Sequence, residues 1–224
     1  MIAALFDIEG TLYTNPMGRG FIQYASSHGR GLRALIYYSS LMPRYFLCKL
    51  GITSEESLNR SAIGRMPWLI QGYDLQQAQA AFDWVVDSFI LPSGRQSVLQ
   101  LWEDHRRLGH LVVIVSSGLA PCVQQIAVHL KAAGTAATEV LVRDGRYAGR
   151  VGSPVAIARE KASRALALVS QLAADVDWAA SYAYADSLHD LPFLELVGHP
   201  VAVHPDKGLA QIAQERGWQI IAAG

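Results

Sequence analysis

Four short stretches of this 224-residue chain hold side chains whose types and spacing could do chemistry. The first is Asp7-Ile8-Glu9-Gly10-Thr11, directly behind the apolar run from Ile2 to Phe6. Two carboxylates at the end of a buried strand offer a nucleophile and an acid/base; Gly10 lets the backbone approach a ligand closely, and Thr11 adds a hydroxyl. The second, Ser116-Ser117-Gly118, follows the apolar strand Leu111 to Val115 and precedes Pro121, where the free N–H groups of a helix start could hold an anion. The third is Lys161, on a helix expected to open at Ser153-Pro154. The fourth is Asp186-Ser187-Leu188-His189-Asp190, whose two carboxylates, four residues apart behind a strand, could converge on one hard cation. Singly, each stretch has a plainer account, a helix cap or a solvated lysine. Independent accidents rarely fall in this order.

The elements around these stretches must bring them together. Apolar runs at Ile2 to Phe6, Leu111 to Val115, Val140 to Val142, Trp178 to Ala185, Pro200 to Val203 and Trp218 to Ile221 read as strands. They alternate with helical segments, among them Ser97 to Leu108, Pro121 to Leu130 and Lys207 to Arg216, which predicts an α/β fold with a parallel sheet. The acids then fall at carboxyl ends of strands, where open parallel sheets bind ligands. Asp144-Gly145 predicts a tight turn. Residues 15–94 look wholly helical. Leu32 to Ile52 is expected to form two short helices meeting at Pro43, Thr53 to Glu56 and Asp74 to Gln77 have capping-box spacing, and a stripe from Leu75 to Phe89 stops at Pro92 and Gly94.

The chain is 51% hydrophobic and 17% charged, enough apolar material for one main core and an attached lobe. Nineteen basic and nineteen acidic residues cancel, which removes the electrostatic case for a nucleic-acid partner and favours a small substrate. Cys48 and Cys122, far apart and outside any CxxC, argue against a zinc site or disulfide framework and fit a reduced cytoplasm. An apolar strand starting at position 2 without a basic lead predicts no cleaved signal peptide. Charges at Arg33, Arg44 and Lys49 interrupt the apolar segment from Leu32 to Leu50, so no transmembrane span is expected; a peripheral membrane contact or a lipid-like substrate stays open. Nothing here specifies an oligomeric state.

Together the four stretches resemble the motifs of the haloacid dehalogenase superfamily, in the branch similar to phosphoserine phosphatase. The resemblance implies a Rossmann-like core, residues 1–14 and 95–224, with an inserted helical cap at 15–94. It also implies a phosphomonoester hydrolase in which Asp7 forms an aspartyl-phosphate and Glu9 serves as acid and then base. By the same resemblance Lys161 neutralises phosphate; Thr11, Ser116, Ser117 and Gly118 line the phosphate site; and Mg²⁺ is held by Asp7, the Glu9 carbonyl, Asp186 and Asp190. Glu9 stands where the family usually has Asp, although the enolase-phosphatase group also reads Asp-x-Glu-Gly-Thr. The absence of any acid from Tyr13 to Tyr24 disfavours phosphoserine as substrate. Phosphotransfer through the same intermediate and a weakly catalytic phosphate-binding module are the alternatives.

Overall fold

The computed structural model describes residues 1–222. Its strands are β1 (Ala3–Phe6), β2 (Leu111–Leu119), β3 (Gly134–Thr138), β4 (Val140–Arg143), β5 (Arg146–Val151), β6 (Tyr182–Ala185), β7 (His199–Val203) and β8 (Gln219–Ile221). Six of them form one parallel sheet in the order β3-β2-β1-β6-β7-β8. The chain builds outward from β1 in one direction through β2 and β3, then returns to its other side with β6. The crevice at the carboxyl ends of β1 and β6 is therefore the switch point of a Rossmann-like sheet.

Every residue of β1 is fully enclosed, because helices cover both faces of the sheet. Ala4 and Phe6 face α5 (Gln96–Arg107) and α6 (Ala120–Leu130). Ala3 and Leu5 face α7 (Arg159–Leu172), α8 (Leu191–Leu194) and α9 (Lys207–Glu215). The Phe6 ring stacks on Tyr184 at 4.2 Å and tilts against Trp102 at 5.0 Å, fastening β1 to β6 and α5. This packing fixes the strand that leads into Asp7 at the centre of the sheet.

Between β1 and α5 lie α1 (Met17–Ser27), α2 (Gly31–Lys49), α3 (Glu55–Arg65) and α4 (Leu75–Asp83), with a π-helical turn at Trp84–Ile90. The two ends of this insertion are tied to each other: the Thr14 N–H donates to the Ser93 carbonyl and the Arg95 N–H to that of Leu12. The antiparallel β4-β5 hairpin, with Asp144 and Gly145 at positive φ in its turn, leaves the sheet and seats on the insertion. There the Gly72 N–H bonds the Tyr147 carbonyl and the Tyr147 N–H bonds that of Tyr73, both at 2.9 Å.

Several elements differ from expectation. The segment expected as two helices from Leu32 to Ile52 is one helix, α2, running through Pro43 and ending at Lys49. Pro43 and Ser39 are both exposed, so the Ser39 carbonyl deprived of its i+4 donor can meet water. The cap of α3 is Ser54, accepting from the Ser57 N–H, whereas Glu56 pairs with Arg60; Asp74 and Gln77 do form a full capping box. The expected stripe is buried at Ala78, Phe82, Val85 and Val86; Leu75 at its start is exposed, and past the π turn Ile90 is enclosed more fully than Phe89. The helix expected from Ser153 begins at Arg159: Val155, Ala156 and Ile157 are buried in irregular chain, with the Ile157 N–H bonding the Val155 carbonyl and the Ala156 N–H donating to Thr138 Oγ1. Trp178 to Ser181 is a turn, held by Ser181 Oγ between the Ala3 N–H and the Asp177 carbonyl, so β6 starts only at Tyr182. Strand β3, Gly134-Thr135-Ala136-Ala137-Thr138, lacks the large apolar residues that would have announced it.

Candidate active site

Asp7 directly follows β1, its N–H bonded to the Tyr184 carbonyl of β6. Asp186 directly follows β6, and Asp190 ends the short 3-10 turn Leu188–Asp190. Neighbouring parallel strands thus deliver both loops to one point. Gly10 permits their approach: it sits at φ +79°, and a Cβ there would lie 2.0 Å from Asp186 Oδ2. Lys161 rises from the first turn of α7, with its Nζ 2.8 Å from Asp7 Oδ1 and 2.7 Å from Asp190 Oδ1. It is only 2% exposed and lies over the Phe193 ring. Asp206, at the N-cap of α9, holds the 186–190 loop by accepting from Ser187 Oγ and the Leu188 N–H, while its own N–H bonds the Asp186 carbonyl.

One ammonium thus faces three carboxylates. Burial pushes Asp7 up to about 6, opposed by Lys161 and reinforced by Asp190. Burial, with the charges of Asp7 and Asp190, pushes Asp186 up to about 8. Burial alone would lower Lys161, but Asp190 and Asp7 overcome it and hold the ammonium well above the ordinary lysine range. One carboxylate oxygen from each of Asp7, Asp186 and Asp190 lies within 4.8 Å of the others, a cluster of hard donors without Cys or His. That donor set fits a small hard divalent cation, and the surplus of negative charge favours one.

Glu9 reaches the insertion, where Oε1 accepts the Met17 N–H at the start of α1 at 2.9 Å. Burial pushes it up to about 7, against the lowering effect of that hydrogen bond. Asp7, Glu9, Gly10, Ser117, Lys161, Asp186 and Asp190 all line one cavity of about 400 Å³. The other expected phosphate contacts are set back from it. Ser116 is fully buried, with Oγ accepting the Gly118 N–H; Gly118 lies against Met17; and Thr11 is enclosed with its hydroxyl unpaired.

The insertion closes the cavity with Pro16, Gly18, Tyr37, Asn59, Ala62, Ile63 and Met66. Sequence reasoning missed Tyr37, Asn59 and Met66, because residues of three separate segments share a wall only after packing. His189, between the two acids of the fourth stretch, lines the cavity as well. Two arginines of the insertion turn elsewhere: Arg60 to Glu56, and Arg65 to the Ser40 carbonyl.

The sequence matches the haloacid dehalogenase-like hydrolase family over residues 4–195, and the chain belongs to that family. It is 30% identical over 222 residues to a probable phosphatase of Mycobacterium tuberculosis, covering 98% of this chain and 75% of the relative. It is 30% identical over 225 residues to a phosphoserine phosphatase of the same organism, covering 97% and 70%. The crystal structure of a Bordetella pertussis protein of unknown function superposes with a TM-score of 0.81 at 28% identity, covering 98% of this chain and 97% of that one. The chain is accordingly a hydrolase, and phosphoric monoester hydrolysis is the activity with which family, relatives and acidic site all agree.

Proposed function

We propose that the protein is a Mg²⁺-dependent phosphatase acting through an aspartyl-phosphate at Asp7 on a small phosphomonoester other than phosphoserine. The observation that carries this reading is the buried Lys161 ammonium held between Asp7 and Asp190 at 2.8 and 2.7 Å. It keeps Asp7 ionised and supplies a fixed positive charge where a phosphoryl group would sit.

In the first step an Asp7 carboxylate oxygen bonds to phosphorus, the ester P–O bond breaks, and the leaving oxygen takes the Glu9 proton. In the second, water attacks the phosphoryl group, Glu9 accepts its proton, and the bond to Asp7 breaks to release phosphate. Glu9 suits both steps, being raised to about 7 and held by the Met17 N–H. The Asp7, Asp186 and Asp190 carboxylates and the Glu9 carbonyl would hold the cation, which when bound offsets repulsion between Asp7 and an anionic ester. Ser117 and the backbone around it would contact phosphate oxygens; Ser116 and Thr11 would act from behind.

Residues 15–94 would then form a cap over a core of residues 1–14 and 95–224, excluding bulk water during reaction. The wall they supply carries no charged side chain to meet the ammonium and carboxylate of phosphoserine, which supports a leaving group without those charges. Free Cys48 and Cys122 suit a reducing compartment such as the cytoplasm.

Phosphate release from a panel of phosphomonoesters, with and without Mg²⁺, tests the proposal against Asp7→Asn. Metal-dependent turnover that Asp7→Asn abolishes is the expected result. Turnover surviving that substitution would overturn the nucleophile assignment.

A further inference from the structure

Helix α2 is amphipathic toward its own lobe, with Ala34 and Tyr37 buried, yet the side turned away from the protein is apolar too. Leu32, Leu35, Ile36, Phe46, Leu47 and Leu50 recur at helical spacing on that outer side and are all exposed, Leu32 at 71% and Leu50 at 73%. Tyr38 and Tyr45 flank the stripe and are exposed as well. An exposed apolar stripe of this size is normally covered by something. This one, at 19 residues and interrupted by charges, does not qualify as a crossing helix; among the described residues no helix is long and apolar enough to span a membrane.

Charge decides between occupants. Residues 10–54 contain Arg19, Arg30, Arg33, Arg44 and Lys49 and no Asp or Glu. A second copy docking face to face would set the same cations of α2 against each other. An anionic surface would meet them favourably, and Lys49, beside the stripe, could reach headgroups while its stem stays against apolar material; Arg44, its Nη1 3.4 Å from Ser57 Oγ, lies on the other flank. Arg30 and Arg33 are engaged with the carbonyls of Leu69, Gln71 and Trp68, which anchors the start of the helix to the lobe and leaves its outer side free. The same helix contributes Tyr37 to the wall of the candidate active site, so whatever covers its outer side lies beside the cavity.

We propose that the outer side of α2 docks on an anionic membrane surface, lying in the plane of the interface with its apolar stripe among the acyl chains and its cations at the headgroups. The experiment is co-sedimentation with vesicles of equal parts phosphatidylglycerol and phosphatidylcholine, and with vesicles of phosphatidylcholine alone, at low and high salt. The expected result is binding to the anionic vesicles that weakens with salt and falls at least tenfold in the double variant Phe46→Ser, Leu50→Ser and in the charge reversal Lys49→Glu. These positions are exposed, and circular dichroism with the melting temperature checks that each variant is folded. No binding to anionic vesicles, or binding untouched by both variants, overturns the proposal. Concentration-dependent self-association of the free protein that the serine variant abolishes, without vesicle binding, also overturns it and makes the face a subunit interface.

Discussion

Glu9 Oε1 accepts a hydrogen bond from the Met17 N–H at 2.9 Å, so the carboxyl group two residues after Asp7 is held by the first helix of the insertion rather than by the sheet. A backbone donor at a helix start favours the charged form, but burial outweighs it and leaves the group near 7. Where a shorter Asp is usual in the family, the extra methylene of Glu9 spans the distance to α1.

The protonated form of Glu9 is the one that can donate to a leaving oxygen. Turnover of alkyl phosphates is therefore expected to fall as pH rises through about 7. Glu9→Gln should lower kcat by about 10²- to 10⁴-fold for alkyl esters. It should cost much less for an aryl ester whose leaving group needs no proton; equal losses for both esters would count against the acid role.

Asp186 is raised to about 8, so between the ordinary Asp value and 8 the folded state binds more protons than the unfolded one. Stability of the metal-free protein is thus greatest below about pH 4 as far as this group is concerned, and is lost as pH rises toward 8. Asp7, raised to about 6, acts in the same direction. Melting in chelator should accordingly worsen from pH 5 to pH 8. Asp186→Asn should recover about 2 kcal/mol at pH 8. Added Mg²⁺ should raise the melting temperature of the wild type at pH 8 and do little for this variant.

Lys161→Met leaves Asp7 and Asp190 buried without their counter-charge. The expected cost is about 3–5 kcal/mol of stability near neutral pH, measured by urea unfolding. The deficit should shrink in acid, where the carboxyls protonate; a deficit independent of pH would mean that lost packing against Phe193, rather than charge, dominates.

Two backbone positions should respond in opposite senses. Gly10→Ala puts a methyl group against Asp186 and forces φ +79° on a side chain, so activity should drop by roughly 100-fold with the fold retained. Ala158, which precedes the helix carrying Lys161, sits at φ 54° and ψ −125°, a conformation side chains rarely adopt. Ala158→Gly should therefore stabilise the protein by about 1 kcal/mol in urea melts.

Much of this molecule is legible in local patterns. Asp7, Ser116 and Asp186 each stand at or just past the end of an apolar run, which a strand buried on both faces at the centre of the sheet usually carries. The same locality explains the misreadings. Ser153-Pro154 carries a good helix-start signal, yet Thr138, distant in sequence, captures the Ala156 N–H and keeps the segment out of the helix. Pro43 ordinarily breaks a helix, and only the exposure of Ser39 beside it shows why this one continues.

The sequence by itself determined the alternation of strands and helices, the helical insertion and the identity of the acids and the lysine, because periodicity and residue chemistry are local properties. Only the tertiary structure decided that Lys161 stands between Asp7 and Asp190, that Thr11 and Ser116 lie behind the cavity wall, and that Tyr37, Asn59 and Met66 form that wall. These depend on β6 returning beside β1 and on the insertion folding back over the crevice, relationships between residues far apart in sequence that no local pattern encodes.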